Sequence, residues 1–138
     1  GLTMDEKVLV YADPDLIHQV AYNLLDNAIK FTPAGGEITI RASMDKDWLT
    51  VSFTDTGIGM TPEVKQRVFD KFYQGDTSHK KKGNGLGLAL VRQIVTLYGG
   101  SVEVESAPDM GSTFTVRLPA HTISSESSSE QSALHSLP

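Results

Sequence analysis

Ile17, Val20, Ala21, Leu24, Leu25 and Ala28 recur at three- and four-residue spacing, so they share one wide face of a helix and predict its burial against a sheet. Asp13 stands as an N-cap, with Pro14 at the first helical position and Asp15 suited to the positive end of the dipole. The helix is expected to end near Phe31, because Thr32 precedes Pro33 and is pushed out of helical geometry. A short strand, Lys7–Tyr11, precedes it. After the Pro33-Ala34-Gly35-Gly36 turn, Ile38, Ile40 and Ala42 alternate with Glu37, Thr39 and Arg41. Beyond Asp45-Lys46-Asp47, Leu49, Val51 and Phe53 alternate with Thr50, Ser52 and Thr54, which predicts a hairpin with one apolar face. A second hairpin is expected from Val102 and Val104, then Phe114, Val116 and Leu118, around Pro108-Asp109-Met110-Gly111. Between the hairpins the pattern predicts a helix from Pro62 to about Asp70 and an irregular basic stretch from Gln74 to Gly83. Another helix is predicted from about Gly85 to Tyr98, closed by Gly99-Gly100. Strict alternation in four strands implies an α+β fold whose sheet has one buried and one wet face.

Length limits this to one ordinary domain: the chain has 138 residues, 39% of them hydrophobic and 21% charged. From His121 onward the serine-rich sequence has almost nothing to bury, so 121–138 is expected to be a disordered tail and 1–120 the folded domain. No apolar run is long enough for a membrane span, no signal peptide opens the chain, and cysteine is absent, which fits a cytoplasmic setting. A net charge of −5 argues against a general nucleic-acid binder, whose footprint would be a basic face.

Three polar features carry chemistry. Asn23, Asn27 and Lys30 lie at i, i+4 and i+7, so two amides and an ammonium form a stripe bordering the buried face. Such a row suits a magnesium-bound polyphosphate; its simpler reading is a solvated edge with an Asp26–Lys30 ion pair. Asp55-Thr56-Gly57-Ile58-Gly59-Met60 begins where a strand ends, which lets a rigidly held carboxylate accept from an amine such as that of adenine, or simply makes an Asp-containing turn. Gly83-Asn84-Gly85-Leu86-Gly87-Leu88 opens the last helix, and backbone N–H groups at such a start cradle phosphate. It is neither a Walker loop, which needs Gly-Lys-Ser/Thr, nor a Rossmann fingerprint.

These blocks, in this order, resemble the ATP-binding catalytic domain of bacterial sensor histidine kinases, a branch of the superfamily holding gyrase, heat-shock chaperone and mismatch-repair ATPases. Asn23–Thr32 resembles the asparagine box, and Asp55–Met60 the first glycine box. Phe69-Asp70-Lys71-Phe72-Tyr73 resembles the phenylalanine box, Gly83–Leu88 the second glycine box, and Gly111-Ser112-Thr113-Phe114 the last glycine turn. The resemblance spans roughly residues 4–119. It implies a two-layer α/β sandwich of Bergerat type, with a mixed, mostly antiparallel sheet of about five strands and three helices on one face. By the same resemblance Asn27 ligates magnesium, with Asn23 beside it and Lys30 on phosphate, and these three are the expected catalytic residues. Asp55 reads the adenine amine, Gly57 and Gly59 shape the base pocket, and Phe31 and Tyr73 wall the nucleotide. Residues 74–83 form a lid anchored by Phe69 and Phe72, and Lys82, Gly83, Gly85, Leu86, Gly87, Leu88 and Thr113 complete the ATP contacts. Many family members carry a basic residue where Gln74 stands and glycine where Lys82 stands.

The implied activity is transfer of the γ-phosphoryl group of Mg-ATP to a histidine on a separate dimerisation domain. His18, His79, His121 and His135 lack the setting of such an acceptor. The implied partners are that domain and a response regulator, and the implied full-length protein is a homodimer. Two other readings stand beside it: a non-catalytic nucleotide- or partner-binding module, and a serine protein kinase of the anti-sigma-factor type on the same fold.

Overall fold

The computed structural model describes residues 6–71 and 87–124. Local signals set the first helix, α1 (Pro14–Phe31): the Asp13 carboxylate accepts from the Asp15 N–H at 2.9 Å, Pro14 opens the helix, and Thr32 leaves it in extended geometry. A short strand, β1 (Glu6–Leu9), precedes α1; β2 (Ile38–Asp45) and β3 (Trp48–Asp55) follow it as the first hairpin. The next helix, α2 (Pro62–Arg67), capped by the Thr61 hydroxyl, is shorter than its pattern predicted and gives way to turns before Asp70. Helix α3 (Gly87–Leu97) leads to β4 (Ser101–Ser106), β5 (Ser112–Pro119) and β6 (His121–Ser124). Gly99 stops α3 in left-handed geometry, with Gly100 N–H bonded to the Val95 carbonyl and Gly99 N–H to that of Thr96, as a Schellman motif requires.

Four strands make one sheet in the order β2-β3-β5-β4, and every pair in it is antiparallel. The expected fifth strand lies elsewhere. β1 pairs with β6 as a separate antiparallel ribbon, so the sheet is neither mixed nor five-stranded. The ribbon also moves the expected boundary: His121–Ser124, assigned from composition to a disordered tail, form a strand. Ladder hydrogen bonds ask only for backbone groups, so a segment of mostly polar composition can still pair where β1 offers an edge.

Phase along each strand decides what is buried. Phe53, Phe114 and Val104 stand in one cross-strand row, and Val51, Val116 and Val102 in the next, on the face that meets the helices. Val20 and Leu24 from α1 and Val91, Ile94 and Val95 from α3 close the core over them, each contributing about 1.5–3 kcal/mol of burial. The other face carries Thr54, Thr113, Ser52, Thr115, Arg41 and Glu103, the predicted wet side. The buried stripe of α1 is narrower than expected, with Val20, Leu24 and Ala28 buried and Ala21 exposed.

Helices α1 and α3 run antiparallel. Tyr98, just past the end of α3, accepts from the Asp13 N–H through its hydroxyl at 3.0 Å, and Asn23 donates to the Gly87 carbonyl at the start of α3, also at 3.0 Å. Asn23 is therefore level with the beginning of α3. The last two turns of α1, carrying Asn27 and Lys30, extend past it.

Candidate functional site

Asp55 is the last residue of β3 and is 5% exposed. Its Oδ1 accepts from the Gly57 N–H at 2.9 Å, which folds the chain back sharply after the strand. Burial pushes the carboxyl above its ordinary value of 3.8, while N–H groups of Gly57 and Ser112 pull it down. Gly57 is required here by space. A Cβ on it would overlap the Phe31 carbonyl oxygen, which accepts from the Ile58 N–H at 3.1 Å. The loop after Asp55 is thus fastened to the end of α1.

The other wall comes from the β4–β5 turn. Asp109 N–H donates to the Ile58 carbonyl at 2.7 Å, and Gly111, at φ +73°, lies so close to the Asp55 carbonyl that a Cβ would collide with it. Gly59 sits against the Ala107 carbonyl of the same turn. Asp55 pairs across the ladder with Ser112, and Ser112 with Ser106, so three polar side chains cross the inner face at this end of the sheet.

On α1, Asn27 is one turn before Phe31 and hence close to the Asp55 loop. Among the described residues its amide has no protein hydrogen-bond partner, although it is half-buried. Asn23 is different: its Nδ2 is spent on the Gly87 carbonyl, and its Oδ1 accepts from Gln19 Nε2 at 2.6 Å. Lys30 pairs with Asp26 at 3.0 Å, with the lysine side chain 31% exposed, so the simple i,i+4 pair is formed at the edge of the site.

The structure brings Asn27, Lys30, Phe31, Asp55, Gly57 and Gly59 to one end of the domain. Gly87 begins α3 at that end, where a Cβ would meet the Asn23 amide at 3.9 Å, an ordinary contact. Leu88 is partly buried and packs its side chain against the core. Phe69 also packs inward, edge-on to Phe114 at 6.0 Å, with the Arg92 guanidinium 5.7 Å from its ring centre. Phe72, Tyr73, Gln74, Lys82, Gly83, Gly85 and Leu86 lie outside the described residues.

Thr113, expected among the ATP contacts, has its side chain on the opposite face of the sheet from that of Asp55. Its hydroxyl is on the wet face, 3.1 Å from that of Thr54, whereas Asp55 faces the core side. Ser112 is the residue of this turn that stands beside Asp55. Alternation carried that signal: Phe114, Val116 and Leu118 point inward, so Ser112 shares their phase and Thr113 does not.

The structure thus sets a buried carboxylate at a strand end, a loop fastened through glycine to the end of α1, and, one turn before that fastening point, a helix amide with no partner among the described residues, all within an α+β domain. Residues 12–122 match the model for the Histidine kinase-, DNA gyrase B-, and HSP90-like ATPase family, and the chain belongs to it as the ATP-binding catalytic domain of a sensor histidine kinase. It is 42% identical over 125 residues to the circadian input-output histidine kinase CikA of Synechococcus elongatus, covering 88% of this chain and 17% of the relative. It is 40% identical over 119 residues to the sensor histidine kinase RcsC of Escherichia coli, covering 85% and 12%. The chain thus spans a small fraction of the length of these relatives. Among solved structures it is similar to the mycobacterial sensor histidine kinase MprB, with a TM-score of 0.76 and 31% identity over 83% of this chain and 78% of that one. It is also similar to full-length ShkA in complex with AMPPNP, with a TM-score of 0.72 and 34% identity, covering 84% and 24%. Among the described residues no helix is long and apolar enough to cross a membrane.

Proposed function

We propose that this domain binds Mg-ATP at the α1–β3 end and presents the γ-phosphoryl group to a histidine on a separate dimerisation domain of the same protein. That protein works as a cytoplasmic or membrane-attached homodimer and passes phosphate on to a response-regulator aspartate. One observation carries the reading: Asp55 is buried and held by the Gly57 N–H, while Asn27, one turn from the fastening point at Phe31, keeps an amide with no hydrogen-bond partner among the described residues.

The donor set fits magnesium arriving with its nucleotide. Magnesium prefers oxygen, keeps several waters, and takes one or two protein ligands beside substrate phosphates, so the Asn27 amide oxygen is a sufficient protein ligand. Bound magnesium would neutralise charge on the phosphates and orient them. Lys30 adds positive charge beside it while tethered to Asp26. Asp55, as a carboxylate, accepts from the exocyclic amine of adenine and so fixes the base. The N-terminal end of α3 contributes N–H groups and a favourable dipole for phosphate. Positioning and charge neutralisation are most of what phosphoryl transfer asks of a protein.

Calorimetric titration with ATP and ADP, with and without magnesium, tests the assignment. Magnesium should tighten ATP binding in the unmodified chain, and Asn27→Ala should abolish that gain without abolishing binding. A folded chain that binds neither nucleotide would overturn the reading in favour of a partner-binding module.

A further inference from the structure

Ser106 lies outside every motif and on a different strand from the other site residues, yet it is bonded into the floor beside Asp55. Its Oγ donates to the Gly111 carbonyl at 2.8 Å and is 2.9 Å from the Oγ of Ser112. A serine hydroxyl has one proton. With the Ser106 proton committed to Gly111, only Ser112 can donate in the serine pair. Ser112 Oγ–H, 8% exposed at the level of its residue, thereby donates to Ser106 Oγ, and Ser112 Oγ has only lone pairs left for its other surroundings. Its cross-strand neighbour on the same face is the Asp55 carboxylate, which when ionised is also acceptor-only.

We infer that Ser106 is a positioning residue for base selection: by fixing the direction of the Ser112 hydroxyl it makes the Asp55–Ser112 floor an all-acceptor surface, which takes an amino group and rejects an oxo group at the purine 6-position. The inference rests on the nucleotide reading above. A base with a 6-amino group offers two N–H donors to this floor, directly or through a water that donates to both oxygens. A 6-oxo base offers a lone pair where the floor already has lone pairs, so its oxygen would be left unpaired. Freed from Ser106, the Ser112 hydroxyl turns its proton toward the base and becomes the donor an oxo group needs.

The test compares ADP with IDP, which replaces the 6-amino group by oxo and changes nothing at the 2-position. Affinities are measured by calorimetry on the unmodified chain, Ser106→Ala, Ser106→Thr, Ser112→Ala and the double alanine variant, with thermal melts to confirm folding. Ser106→Ala should reduce the preference for ADP over IDP by about 3–10-fold, and Ser106→Thr, which keeps the hydroxyl, should retain it. Because Ser106 acts through Ser112, adding Ser106→Ala to Ser112→Ala should leave the ratio where Ser112→Ala put it. An equal loss of both nucleotides, or a Ser106→Ala effect on the ratio that persists without the Ser112 hydroxyl, would overturn the inference and leave Ser106 a structural residue. If the unmodified chain binds neither ADP nor IDP, the nucleotide reading fails and this inference falls with it.

Discussion

Asp55 combines two demands that pull its proton affinity in opposite directions. Burial favours the neutral acid, and the N–H groups of Gly57 and Ser112 favour the carboxylate; burial is the larger, so the carboxyl titrates above its ordinary 3.8. The folded chain then holds a proton that the unfolded chain has released, between 3.8 and the raised value. Stability contributed by the neutral form is complete below that window and lost as pH rises through it. Above that window the fold carries an ionised buried group at a cost, and Asp55→Asn, which can keep an oxygen acceptor for Gly57, removes the cost. The variant is expected to melt no lower than the unmodified chain at pH 7, with any advantage fading as pH falls below the window. Its affinity for ADP should nevertheless drop by roughly tenfold or more, since a hydrogen bond to a charged acceptor is worth about 1.5–3 kcal/mol. Melting curves against pH and calorimetry at pH 7 read the two effects separately. A variant that is less stable at pH 7 and binds ADP normally would show that Asp55 is there for the fold.

Among the elements, α1 divides its polar stripe between two tasks. Asn23 joins α1 to α3 through the Gly87 carbonyl, while Asn27, beyond the start of α3, has no hydrogen-bond partner among the described residues and is the proposed magnesium ligand. Asn23→Ala is expected to cost about 1 kcal/mol of stability through the unpaired Gly87 carbonyl, lowering the melting temperature with or without nucleotide. Asn27→Ala should leave melting of the nucleotide-free chain unchanged and remove only the magnesium-dependent part of ATP stabilisation. Thermal melts with ADP, ATP and magnesium in turn separate them, and equal destabilisation by both variants would refute the division. Sequence showed the stripe and not its division, because Gly87 is 64 residues away and periodicity along one helix says nothing about where a second one begins. The bounds of α1 were legible for the opposite reason: the Asp13 cap and the Thr32-Pro33 stop act within one turn. Both hairpins were legible from alternation, and its phase could have placed Ser112 inside. The need for glycine at position 57 was not, since it arises from the Phe31 carbonyl passing over it.

The proposed nucleotide site lies at one end of the described domain, and the placement of His18 and His121 bears on it. Composition hid the β1–β6 ribbon, because its pairing joins two segments more than a hundred residues apart. The ribbon places His121 edge-on to Tyr11, with ring centres 5.8 Å apart, ahead of the first turn of α1. His18 is exposed on α1, nine residues before Asn27, or about 13 Å along the helix axis. Phosphoryl transfer needs the attacking nitrogen about 3–3.5 Å from phosphorus. A rigid helix separates His18 from the proposed phosphate ligand by several times that, and His121 sits beyond the far end of the same helix. Neither can accept phosphate from a nucleotide in its own pocket. Incubation with magnesium and γ-labelled ATP is therefore expected to leave peptides containing His18 and His121 unlabelled under alkaline work-up, which preserves phosphohistidine. Addition of a histidine-bearing dimerisation domain from the same protein should move the label onto that partner. Stable label on His18 or His121 that appears at a rate independent of protein concentration would mean transfer within one molecule, and would contradict the placement of the phosphate site at the Asn27 end of α1.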